Sequence, residues 1–175
     1  MKLTNTLTEY GTISKIFHWI SAAVLIIQIP LGMYLVNMDF SEKRLTTENI
    51  HVAVGITIFY LTILRLIYKI FNPTPKLNNS IFPGQKIIAK LNHVFLYISI
   101  LIITISGALK KLYNGEMLNM FFFNLEIKDN FDLAEIFYEI HILGNYTFIA
   151  LISLHIFAVI IHKIFFKENL LKKIL

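Results

Sequence analysis

The chain has 175 residues, is 56% hydrophobic, has a mean hydropathy of +0.65 and contains no cysteine. That balance is too apolar for an ordinary water-soluble domain, and the missing thiols exclude disulfides, iron–sulfur clusters, thiolate-ligated haem and C-x-x-C-H haem attachment. The net charge of +5 does not point to nucleic acid, because no stretch outside the apolar segments interleaves basic and aromatic residues.

A spanning helix needs roughly 20 apolar residues. Four stretches qualify, and they predict one all-α domain over residues 1–175 with transmembrane helices at about 14–37, 48–71, 87–110 and 133–164. The first uncharged stretch, Ile16–Met38, is too long for a typical signal-peptide core and no small-residue cleavage site follows it, so it is read as a helix of the mature protein. Pro30 should kink it. The second, Asn49–Leu64, continues past Arg65 to Tyr68. A loop over Asn72–Lys86, with three prolines and a glycine, leads to the third stretch, Leu91–Leu109. The connection Lys110–Phe131 is longer and acidic in its second half, and its Phe121–Phe123 cluster is expected to pack on the bundle. The last stretch is Ile140–His162.

Basic residues orient the bundle. With the N-terminus inside, eleven Lys and Arg fall in inside segments and five outside, while nine of the eleven acids fall outside. The bias predicts N-in and C-in.

All six histidines lie in or at the edges of the helices. His141 and His155 are fourteen residues apart, close to four turns, which puts them on nearly one face about 21 Å apart. The same step joins His51 to Arg65, His18 to Gly32 and His93 to Gly107. Each helix thus carries two special positions, one near each membrane surface, as two sites stacked across a bilayer would require. Bis-histidine haem b suits these residue types. Gly32, Gly55, Gly107 and Gly144 supply room for a macrocycle. Arg65 either holds propionates or snorkels to the surface with Lys69. At the outer level only His51 and His141 are available as ligands. At the inner level His18, His93, His155 and His162 compete. His155 shares a face with His141, and spacing does not decide between His18 and His93.

Plainer roles exist for single residues. A lone intramembrane histidine often hydrogen-bonds a neighbouring helix. His162 sits beside Lys163 at an interface. Trp19, Tyr34, Tyr68 and Tyr113 read as aromatic-belt residues.

The segments SKIFHWISAAVLIIQIPLGMYL, IHVAVGITIFYLTILRLIYKIFNPTP, LNHVFLYISILIITISGAL and YEIHILGNYTFIALISLHIFAVIIHKIFFKENLLKKIL resemble the four helices of the prokaryotic cytochrome b561 family. The order of H-W, H-x-x-x-G, L-R-L, N-H-x-x-x-Y and H-x13-H carries the resemblance across nearly the whole chain. It implies a four-helix dihaem protein of the bacterial inner membrane. His18 and His155 match the inner haem ligands of the family, and His51 and His141 the outer pair. It also implies an oxidoreductase that passes electrons between a donor and the membrane quinone pool, with the two haem b groups as cofactors, quinone as substrate and lipid as surroundings. The donor is either a redox partner protein or a small species such as superoxide, which Lys43, Arg44, Lys110 and Lys111 could attract although the outer segments are net acidic. His93 and His162, left over near the inner surface, are candidates for a quinone headgroup site, with Phe17, Phe95 and Phe157 lining an apolar gap. Two other readings are carried: a membrane anchor subunit of a larger dehydrogenase or hydrogenase, and a His-lined transition-metal transporter, which would need convergent His and carboxylate ligands at mid-membrane.

Overall fold

A computed structural model describes residues 2–75, 84–167 and 169–175. Four long helices make up the architecture: α1 (Thr12–Val36), α2 (Glu42–Phe71), α3 (Gln85–Tyr113) and α4 (Phe131–Phe165). Each is long and apolar enough to cross a membrane. The chain folds as an all-α transmembrane four-helix bundle.

The helices outrun the uncharged stretches because polar caps lie beyond them. At the start of α2 the Ser41 hydroxyl accepts from the Arg44 amide at 3.2 Å, with Glu42 in the first turn. At the start of α4 the Asn130 side chain accepts from the Leu133 amide at 3.1 Å, with Asp132 following. Both pairs satisfy open amides and complement the helix dipole. Lys110 and Lys111 complement the dipole at the carbonyl end of α3. α1 runs without interruption through Pro30. Of the expected α2–α3 loop, Gln85 and Lys86 are helical, whereas Lys76 and Pro83 lie outside the described residues, as does Glu168.

α3 and α4 form the most extensive helix pair, α1 packs on α2, and α2 joins the two pairs through α3. The Trp19 indole donates to the Ile174 carbonyl at 2.9 Å, and the Asn5 amide donates to the Pro73 carbonyl at 3.0 Å. Both chain termini and the α2–α3 connection therefore share one end of the bundle, here the terminal end. The α1–α2 and α3–α4 connections share the other, the hairpin end. There a two-stranded antiparallel hairpin, β1 (Leu118–Asn119) with β2 (Asn124–Leu125), departs from the plain loop the sequence suggests. Tyr60 packs on its Phe121 and Phe122 rings at 6.4 and 5.9 Å. A short 3-10 helix, η1 (Leu170–Lys173), closes the chain.

Candidate functional site

The fourteen-residue step resolves into two layers. Gly32, His51, Gly107 and His141, one from each helix, lie toward the hairpin end. His18, Arg65, His93 and His155 lie toward the terminal end.

In the first layer the His51 and His141 rings stand with centroids 6.2 Å apart and planes at 81°. Both line a cavity of about 350 Å³ to which all four helices contribute. Each ring rests on a glycine. A Cβ at Gly32 would stand 3.0 Å from Cε1 of His51, and one at Gly107 would stand 2.9 Å from both Cε1 and Nδ1 of His141. Gly107 also leaves open the Ile103 carbonyl one turn earlier, which lies 2.8 Å from Nδ1 of His141. A carbonyl only accepts, so Nδ1 carries the proton and the Nε2 lone pair is available to a metal. Around His51, the Gln28 amide donates to its backbone carbonyl at 2.9 Å and stands 3.4 Å from its Nε2. His51 Nδ1 and Gln28 Oε1 are buried without a partner among the described residues. Gln28 is the site residue that motif reading missed. Its signal was a lone amide between Ser21 and Tyr34 in an otherwise apolar run.

Charges gather where this cavity meets the hairpin end. Lys110 pairs with Glu48 at 2.9 Å, Lys111 pairs with Glu116, and Arg44 donates to the Met38 carbonyl. Lys43 stands over the Tyr34 ring, 5.9 Å from its centroid.

Near the second layer a small cavity of about 20 Å³ lies beside Arg65 and Tyr97. His93 and His155 are in ring contact at 5.2 Å. His18 accepts from Arg65, whose Nη2 lies 3.0 Å from His18 Nδ1. Arg65 and Lys69 stand over the Tyr97 ring at 5.5 and 4.8 Å. Tyr10, just before α1, joins this group: burial raises its phenol pKa, while the nearby Arg65 acts in the opposite sense. Two cations on one ring, with no ion pair to either among the described residues, make a place for an anion.

Other expected residues lie apart. His162 is buried and accepts a hydrogen bond from Gln85 at 3.1 Å. His93 is eight residues along α3 from Gln85, about 12 Å at the helical rise. Phe95 and Phe157 are exposed on the bundle surface, and Phe17 packs on Tyr68. A Cβ at Gly144 would meet Ile103 Cγ1 at 3.0 Å, so Gly144 serves the close approach of α3 and α4. Gly55 faces Gln28 and lines the large cavity.

A membrane-spanning bundle with paired imidazoles on glycine cradles is an arrangement that suits a membrane cytochrome b. The sequence pattern described as prokaryotic cytochrome b561 matches residues 9–175. The chain is also 26% identical over 179 residues to the Escherichia coli K12 protein named cytochrome b561 homolog 2, covering 100% of this chain and 95% of that protein. The chain belongs to the prokaryotic cytochrome b561 family. Its members are multi-pass bacterial membrane proteins that bind haem b for electron transport.

The first layer fits that group. Two metal–imidazole bonds of ~2 Å each, plus the ring radii, put facing centroids ~6 Å apart, close to the observed 6.2 Å. A buried imidazole nitrogen lacks a protein partner, and both cradles lack a Cβ.

Proposed function

We propose that the chain carries electrons across the bacterial inner membrane through two bis-histidine haem b groups, held by His51 and His141 in one layer and by His18 and His155 in the other. The termini face the cytoplasm, as the Lys and Arg bias requires. The observation that carries the reading is the His51–His141 pair, 6.2 Å apart at one cavity and cradled by Gly32 and Gly107.

Bound haem supplies reversible one-electron chemistry at iron, and the chain supplies position and ligand field. Ile103 fixes the His141 tautomer. Gln28 ties the His51 backbone to α1. His18 would hold a haem through Nε2, with Nδ1 protonated and no longer an acceptor for Arg65. Arg65 would then be free to hold a haem propionate. The assignment of His18 over His93 follows the family motif H-W on α1.

Electrons leave to quinone at the terminal end, where His93 and His162 serve the headgroup and a histidine can pass protons as the ring is reduced. At the hairpin end the donor is a partner protein or a small anion such as superoxide. A metal transporter would need converging ligands. Among the described residues no group of three or more His, Cys, Asp or Glu is placed to hold a metal ion.

In proteoliposomes, added quinol should reduce the haem anaerobically and added quinone should reoxidise it. His93→Leu and His162→Leu should slow both while keeping the parental haem content and dithionite-reduced spectrum. Parental rates in both variants would place quinone elsewhere, and haem that never exchanges electrons with quinone would overturn the proposed acceptor.

A further inference from the structure

α1 meets His51 with two residues one turn apart. Gly32 supplies the cradle at Cε1, and Gln28 supplies an amide. Residues four apart lie on one face of a helix, and Leu25, Gln28, Ile29 and Gly32 all line the large cavity. Gln28 is the sole polar side chain between Ser21 and Tyr34.

That amide is half used. Its nitrogen donates to the His51 carbonyl at 2.9 Å and stands 3.4 Å from Nε2 of the ring. Its oxygen is buried without a partner among the described residues, and so is Nδ1 of the same His51 ring. Among the described residues the one other buried side-chain atom in that condition is the Tyr68 hydroxyl. Tyr68 is seventeen residues further along α2, about 25 Å at the helical rise. An unused acceptor and an unused ring nitrogen therefore occur together, on two residues already in contact.

Metal ligation makes that coincidence useful. A neutral imidazole that gives one lone pair to iron carries its proton on the other nitrogen, and a buried N–H needs an acceptor. His141 has that acceptor in the Ile103 carbonyl, 2.8 Å from its Nδ1. Neither ring nitrogen of His51 has a carbonyl partner among the described residues.

We propose that Gln28 is the positioning residue of the haem ligand His51: with haem bound, its side-chain oxygen accepts from the imidazole N–H that iron leaves protonated. The inference rests on the bis-histidine haem proposed above for the first layer. α1 then sets the tautomer, the ring orientation and the donor strength of a ligand carried by α2. An imidazole whose N–H is held by an acceptor is a stronger donor to iron. It favours the oxidised state and lowers the potential of that haem.

Two substitutions separate this role from the bond to the His51 backbone. Gln28→Leu removes both the donor and the acceptor. Gln28→Glu, studied at alkaline pH where the carboxylate is ionised, removes the donor and keeps an acceptor. The measurements are a redox titration followed by absorption and the low-spin EPR g values of the oxidised haem, which follow the imidazolate character of an axial ligand. Gln28→Leu should raise the potential of the haem held by His51 and His141, shift its g values and leave the other haem at parental values. Gln28→Glu should restore the parental values or pass beyond them in the opposite direction. If Gln28→Leu loses that haem altogether, Gln28→Glu should retain it. A Gln28→Glu protein that follows Gln28→Leu, in potential or in haem loss, would overturn the proposal, because the bond to the backbone would then be what matters. Parental g values in both variants would overturn it as well. A parent that holds no haem between His51 and His141 would instead overturn the proposed function on which the inference rests.

Discussion

An imidazole inside an apolar bundle is costly until both ring nitrogens have partners. His141 meets half of that need at Ile103, and it does so only because position 107 has no side chain. Gly107→Ala would drive a methyl into the ring, at a cost of about 1–3 kcal/mol in a packed site. The expected result is lost or spectrally shifted haem in that layer. Gly144→Ala presses only on the flexible end of Ile103 and should leave the haem spectrum unchanged. Equal haem loss in both variants would show that the effect is general loosening of the α3–α4 pair. In the second layer three histidines lie close together, and the family motif makes a definite choice among them. His18→Ala and His155→Ala should lose the haem there, while His93→Ala keeps it. The reverse result, read from the haem content of each variant, would move the ligand to α3.

Element lengths follow from capping, and the site follows from rotation of the helices. The four uncharged runs made the helices legible, and the fourteen-residue step made the two layers legible, because both depend on rise and turn along one chain. Which imidazole faces which depends on how each helix is rotated about its axis, and spacing within a helix does not set that. Gln28 went unread for the same reason: an amide in an apolar run has no known partner until α1 is placed against α2. The hairpin went unread because Phe121–Phe123 looked like loop packing, although the charge-free run between Glu116 and Glu126 was visible. Tyr60 is its anchor, with the hydroxyl donating to the Met120 carbonyl at 3.1 Å. Tyr60→Phe leaves that part-buried carbonyl without its partner, a cost of about 1–3 kcal/mol. Faster hydrogen exchange at Met120–Phe123, with an unchanged haem spectrum, is the expected outcome. Unchanged exchange would show that the hairpin is held by packing of Leu118 with Ile56 and Leu112 alone.

Across the whole molecule, two helix pairs enclose one spacious layer toward the hairpin end and a second layer toward the terminal end. The spacious layer has a rim in which Lys110 and Lys111 are paired with acids. The second layer has Arg65 and Lys69 over Tyr97, with no ion pair to either among the described residues. That asymmetry leaves the stronger call for an anion at the terminal end, where we place propionates. The central claim is two bis-histidine haems per chain, one per layer. It is tested most directly by the pyridine haemochrome ratio of the purified protein, measured alongside His51→Ala and His141→Ala. Two haem b per chain are expected in the parent and one in each variant, with the same spectral component missing from both. A parental ratio of one or none, or a variant that keeps two, would contradict it.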